Sequence, residues 1–120
     1  MDDYKNRAVI GFIEYVTVTG NNKNKKTLKA RIDTGAEKSS MDAKLAAELG
    51  LGPIIKRKLI TSAHGRMIRP VMEAKIILEK KRIKSEFTIA DRNHMKYKVL
   101  VGQNILKKGF LIDPLKKIKK

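Results

Sequence analysis

The sequence predicts an all-β fold, a closed or partly open barrel of about six to seven strands. Short segments rich in Val, Ile, Phe, Tyr and Thr recur along the chain, and turn-forming residues separate them at regular spacing. Only residues 43–49 carry a clear helix signature. At 120 residues, the chain is long enough for one domain with one hydrophobic core.

A polar loop is predicted to join the first two strands as a hairpin. Residues 8–19 favour a strand that bends near Gly11, and residues 20–26 are polar turn formers. The next strand, residues 27–33, alternates apolar with basic side chains, which is typical of a half-buried strand. This strand ends on a carboxylate, and residues that favour a tight turn follow it.

The middle of the chain predicts one helix and one long hairpin. Residues 39–41 are expected to be a connector that leads into the helix over residues 43–49. Asp42 is suited to cap this helix and Gly50 to end it. Residues 62–66 are predicted to form the tip of the hairpin, because polar and small residues there separate two strand-like segments.

The remaining elements are short. Residues 104–108 can form one or two helical turns near the C-terminus. The predicted strands after the helix are residues 54–61, 67–78, 83–90, 97–101 and 109–114. A single domain is therefore expected over residues 1–114, followed by a basic C-terminal tail, residues 115–120.

Composition excludes several functional classes and points to an anionic partner. The chain has no cysteine, which removes disulfides, thiolate metal sites and cysteine nucleophiles. No apolar run is long enough to cross a membrane and the N-terminus lacks a secretory signal, so a cytoplasmic protein is expected. The 28 basic and 12 acidic residues give a net charge of +16. This charge predicts attraction to nucleic acid, a ribosomal surface or an acidic peptide, with a solvated Lys-rich surface as the alternative.

Two motifs resemble the retropepsin-type aspartic peptidases. They are Asp33-Thr34-Gly35-Ala36 at the end of a predicted strand and the apolar pattern around Gly102, from Val99 to Leu106. Further segments, residues 10–16, 62–70, 93–101 and 110–114, are similar to a bacterial and archaeal branch of this family. Its members are often labelled "ATP-dependent zinc protease" and are associated with ligases that add glutamates to ribosomal proteins.

The resemblance implies a barrel fold, a peptidase activity and a role for each motif. Asp33 would be the catalytic acid, supported by Thr34, Gly35, Ala36 and Gly102. Because such catalysis needs two carboxylates and one chain supplies one, a homodimer with Asp33 at its two-fold axis is expected. Polypeptide, acidic or glutamate-rich, is the implied substrate. The hairpin tip would close over the substrate as a flap, with these residues in contact with it: Ala63, His64, Gly65, Arg66 and Arg69.

The sequence departs from the viral members of the family at two positions. Those members carry an arginine after the glycine of the second motif, and it pairs with an aspartate. Here the two positions are Gln103 and Glu37, so the strongest replacement is an amide–carboxylate hydrogen bond, which is weaker.

The same residues allow other interpretations. Asp33-Thr34-Gly35 is also typical of an ordinary turn. A second function remains open, a catalytically silent basic module that docks on RNA or a ribosomal surface. His64 and His94 have no further nitrogen or sulfur ligand at metal-binding spacing, so neither a metal nor a cofactor is expected. No nucleophile elbow surrounds a serine, which makes serine catalysis a poor hypothesis.

Overall fold

A computed structural model describes residues 6–21, 23–63 and 65–118 of the chain, without the side chain of Ser62. These residues form nine strands and two short helices, which confirms the predicted all-β class. The strands are β1 (Ala8–Ile10), β2 (Ile13–Thr19), β3 (Lys25–Ile32), β4 (Ser39–Asp42), β5 (Lys56–Ser62), β6 (Gly65–Leu78), β7 (Lys81–Ala90), β8 (Val99–Val101) and β9 (Phe110–Ile112). The helices are α1 (Ala43–Glu48) and α2 (Gln103–Leu106).

Six strands close into a barrel. Their order is β2, β3, β8, β4, β7 and β6, and the last strand returns to pair with the first. This closure joins Thr17–Thr19 of β2 to Lys75–Ile77 of β6. The 14-residue β6 is longer than the barrel needs, and its first half pairs with β5 as an antiparallel hairpin. The hairpin therefore extends beyond the barrel.

The alternation of side chains explains which face of each strand is buried. In β2 the buried residues are every second one, Glu14, Val16 and Val18, while Tyr15 is exposed. The core that these alternating faces enclose includes the fully buried side chains of Phe87, Ile10, Met41, Ile76, Leu78 and Ile105. The strongly basic composition is therefore confined largely to the outer face of the barrel.

One predicted connector is wrong. Residues 39–41 belong to β4, which lies in the middle of the sheet between β7 and β8. Met41 is opposite Val99 on one side and Ile89 on the other, so it is fully buried. The strand forms because its backbone pairs with β7 and β8 and because Asn104 satisfies the buried Ser39.

The predicted bend and cap are present. The first strand breaks at Gly11 into β1 and β2, and β1 pairs in parallel with β9. The Asp42 carboxylate accepts a hydrogen bond from the Leu45 amide and so caps α1. The turn between β6 and β7 is tight, because only Glu79 and Lys80 lie between the two strands, both with positive φ.

Two partly buried ion pairs tie Lys116 to the barrel. Lys116 Nζ lies 2.6 Å from Glu14 Oε2 and 3.1 Å from Glu79 Oε1, and Glu14 also accepts from the Gly11 amide at 2.7 Å. Burial alone would lower the pKa of Lys116, but its hydrogen bonds to Glu14 and Glu79 outweigh burial and raise the pKa. Lys116 is therefore protonated, and its charge stabilises the fold through these two ion pairs.

Candidate active site

The Asp33 carboxylate is held at the end of β3 by backbone hydrogen bonds of its own loop. The Asp33 amide donates to the Val101 carbonyl at 2.9 Å, which ties the loop to β8. Its Oδ1 accepts from the Gly35 amide at 2.9 Å, and the Ala36 amide donates to the Asp33 carbonyl at 3.3 Å. Asp33 is half-buried, while Thr34 and Gly35 are exposed beside it. The loop thus fixes one carboxylate oxygen and leaves the acid near the surface.

Gly102 packs directly behind this loop. A side chain at this position would place its Cβ 2.6 Å from the Lys38 carbonyl oxygen and 2.8 Å from that of Ala36. The residues after Gly102 continue the contact, because the Gln103 amide donates to the Ala36 carbonyl at 2.8 Å. Only glycine lets the two backbones approach this closely, so the position supports the geometry of the Asp33 loop.

The side chain of Gln103 bonds a different group from the Glu37 carboxylate that the sequence suggested. Its side-chain Nε2 donates to the Thr34 carbonyl at 2.8 Å, whereas Glu37 is exposed at the edge of the cleft. The amide therefore braces the Asp33 loop within one chain. The hydrogen bonds of the described residues include none between Gln103 and Glu37.

A polar network that the sequence did not reveal supports Gly102 from below. The fully buried Ser39 accepts from the Gly102 amide through Oγ at 2.9 Å. Its own amide and hydroxyl both donate to Asn104 Oδ1, at 2.9 and 2.8 Å. Asn104 in turn donates to Ser85 Oγ and to the Glu86 carbonyl, at 3.0 and 2.9 Å. The network joins β4, β7 and α2 beneath the loop, so Ser39 acts in support and is not placed as a nucleophile.

A cleft of about 880 Å³ lies between the β5–β6 hairpin and the loop that follows Asp33. Arg69 is half-buried and lines this cleft, whereas Arg66 is exposed on the same strand outside it. Ala63 and Gly65 are exposed at the hairpin tip, and His64 lies outside the described residues. The other side chains that line the cleft include Ala36, Glu37, Lys38, Lys58, Ile60, Asp91, Arg92, Met95 and Leu100.

Arg92 is a cleft residue that sequence reasoning missed. Its amide donates to Asp42 Oδ1 at 2.7 Å, and its Nε donates to the Tyr97 carbonyl at 3.0 Å. Burial lowers the pKa of Arg92, the charge of Asp42 opposes this, and the nearby charges of Arg31 and Arg69 lower the pKa further. A guanidinium remains ionised despite such shifts, so Arg92 presents a fixed positive charge.

Asp42 is the anchor for this arginine. The carboxylate is 1% exposed, and burial would raise its pKa, but the hydrogen bonds from the Arg92 and Leu45 amides and the charge of Lys98 lower it. The same side chain therefore caps α1 and holds the loop that carries Arg92. The sequence predicted that Asp42 caps a helix. It did not predict the second partner of Asp42, the Arg92 amide, which lies 50 residues later.

The described residues contain no group of three or more His, Asp or Glu side chains placed to hold a metal ion. His94 is exposed in the loop between β7 and β8. In the same residues, no helix is long and apolar enough to cross a membrane.

One family of known sequences matches more than half of this chain. Residues 46–120 match the RimB-like family, described as retropepsin-like aspartic endopeptidase RimB. The matched residues include the hairpin and Gly102, and Asp33 precedes them. DNA damage-inducible protein 1 of Saccharomyces cerevisiae is 31% identical over 93 residues, which cover 74% of this chain. Those residues are 21% of the yeast protein, so the chain matches about a fifth of that relative's length.

Solved structures share the fold. A Legionella pneumophila protein of unknown function, Lpg0085, superposes with a TM-score of 0.65 at 23% identity, covering 93% of this chain and 97% of that one. The EIAV protease in complex with the inhibitor HBY-793 gives a TM-score of 0.63 at 19% identity, over 89% and 91% of the two chains. The simian foamy virus protease gives 0.57 at 16% identity, over 78% and 89%.

Proposed function

Because the chain belongs to the RimB-like family of retropepsin-like aspartic endopeptidases, we propose that it hydrolyses peptide bonds with a water molecule held between the Asp33 carboxylates of two chains. The observation that carries the proposal is the Asp33 loop, in which the Gly35 amide bonds one carboxylate oxygen and Gly102 packs behind. This arrangement orients an acid at a surface.

The proposed site needs a second copy of the chain. Two carboxylates at close range cannot both ionise, so they share one proton. The ionised member removes a proton from the attacking water, and the protonated member stabilises the developing oxyanion by hydrogen bonding. One chain contributes one Asp33, so a two-fold axis beside this residue completes the pair.

Apolar surface beside the loop supports such an axis. The Phe12 carbonyl accepts from the Ile32 amide at 2.8 Å, which places Phe12 next to the residue that precedes Asp33. The Phe12 side chain is 57% exposed, and that of Val9 on the neighbouring strand is 44% exposed. Burial of such exposed apolar side chains would favour an interface on this side of the loop.

The charge of the cleft favours an acidic substrate. Four basic side chains line it, Lys38, Lys58, Arg69 and Arg92, against two acidic ones, Glu37 and Asp91. Guanidinium groups bind carboxylates through paired hydrogen bonds, and partial burial strengthens that attraction. A glutamate-rich polypeptide therefore fits the cleft better than a basic one.

Replacement of Asp33 by asparagine tests the proposal. The asparagine side chain would keep the size of the aspartate and the hydrogen bond from Gly35 but could not take a proton from water, so cleavage of a glutamate-rich peptide should be lost. Asp113→Asn is the matched control, since Asp113 is an exposed carboxylate that also accepts from an amide two residues on. Mass spectrometry of the products measures cleavage, and sedimentation shows whether both variants assemble as the parent does. Undiminished cleavage by Asp33→Asn would refute the proposal.

A further inference from the structure

A second basic surface lies on the outer face of the barrel where β2 meets β6. In the strand register Lys25 is opposite Thr19, Thr19 is opposite Lys75, and Lys75 is opposite Lys84. Directly opposed residues share one face of a sheet, so this row carries three lysines across four strands. In the next row Arg82 is opposite Ile77. Cations from β3, β6 and β7 therefore converge.

These cations surround a concavity of about 380 Å³. Its lining consists of Lys25, Lys75, Arg82 and Lys84 with Thr19 and three isoleucines, and no carboxylate lines it. Lys84 lies 3.8 Å from Glu73, but Lys25, Lys75 and Arg82 have no ion-pair partner in the described part of the chain. Like charges directly opposed across strands destabilise a sheet. An anionic ligand would relieve the repulsion between the directly opposed Lys75 and Lys84.

The surface continues along β2 and β3 with groups suited to a nucleotide. Lys29 is opposite Tyr15, and its Nζ lies 6.0 Å from the centre of the tyrosine ring, which is 36% exposed. The hydroxyls of Thr17 and Thr27 are bonded to each other at 2.8 Å in the row between. A partly exposed tyrosine and two hydroxyls thus lie among lysines.

This surface is separate from the cleft. No residue lines both the concavity and the cleft, and Lys25 lies at the opposite end of β3 from the Asp33 loop. A ligand here would not occupy the proposed substrate site.

We propose that Lys25, Lys29, Lys75 and Arg82, together with Tyr15, form an RNA-binding face that contacts the phosphodiester backbone of a single strand. Lys25 and Lys29 are four residues apart on one strand, about 13 Å, which is too far for one phosphate group and suits a chain of them. An acidic peptide would match only the charge of this face. A nucleic acid would also use the aromatic ring, on which a base can stack.

Two triple variants with the same change in net charge test this assignment. Lys25→Ala/Lys75→Ala/Arg82→Ala removes three cations from the RNA-binding face. Lys44→Ala/Lys107→Ala/Lys117→Ala removes three exposed lysines elsewhere. Fluorescence anisotropy with a labelled oligouridylate of about 12 nucleotides gives the affinity of each protein between about 50 and 200 mM salt.

The expected result is a difference in the salt dependence of binding. Each single-strand phosphate contact contributes about 0.7 to the slope of log affinity against log salt, so the face variant should lose about 2 from that slope. The control should keep the parental slope, and peptide cleavage should be unchanged in both. Tyr15→Ala should weaken binding at least about fivefold.

Three results would overturn the proposal. The first is an equal loss of salt-dependence slope in the two triple variants. The second is no binding of the oligonucleotide by the parent protein at about 50 mM salt. The third is displacement of the oligonucleotide by polyglutamate of the same charge as readily as by unlabelled RNA. Circular dichroism melts confirm that each variant is folded before its affinity is compared.

Discussion

Ser39→Ala should destabilise the protein far more than its small loss of volume implies. The hydroxyl is the acceptor for the buried Gly102 amide and a donor to Asn104. Its removal leaves that amide without a partner, which costs about 1–3 kcal/mol of the free energy of unfolding. For a domain of this size 1 kcal/mol corresponds to about 4 °C, so the melting temperature should fall by about 4–12 °C.

Urea unfolding followed by circular dichroism measures this change, with Ser40→Ala as the control. Ser40 is the next residue of the same strand but is half-buried beside the cleft, and its replacement should cost less than about 0.5 kcal/mol. Equal stability losses in the two variants, or a loss below about 0.5 kcal/mol for Ser39→Ala, would show that the buried network does not support the loop.

Three further predictions follow from single contacts. Gly102→Ala should abolish cleavage and lower stability, because the added Cβ would lie 2.6 Å from a backbone oxygen; activity and melting temperature check it. Arg92→Gln should raise KM for a glutamate-rich peptide about tenfold, whereas Arg57→Gln, on the exposed part of β5, should not. Because folding raises the pKa of Lys116, the stability that its charge contributes is fully present below the pKa of the unfolded state. This contribution is lost as the pH rises through the pKa of the folded state. The stability advantage of the parent over Lys116→Met should therefore shrink above about pH 10.5 in urea unfolding series, and an advantage that is constant or grows there would contradict this.

The sequence was sufficient for features that depend on local patterns. Alternation of apolar and polar residues identified the strand that ends at Asp33, and a capping residue followed by alanines and leucines identified α1. Gly102 could be matched to Asp33 because both lie in short motifs. Each of these signals is contained within a few neighbouring residues.

Features that depend on distant partners could not be predicted. Ser39 lies in a central strand only because Asn104, 65 residues later, satisfies its polar groups. Arg92 faces the cleft because Asp42 and Tyr97 hold its loop, and nothing in its neighbours along the chain signals that role. Lys25 and Lys75 come to lie on either side of Thr19 through the register of the closed barrel.

The distance between the two Asp33 carboxyl groups in a crystal structure of the assembled protein is the most direct test of the proposed mechanism. We expect a two-fold dimer in which the nearest oxygens of the pair are about 2.5–3.0 Å apart, as a shared proton requires. A dimer formed through another face, with the acids beyond reach of one water molecule, would contradict it. So would a protein that cleaves peptides as a monomer.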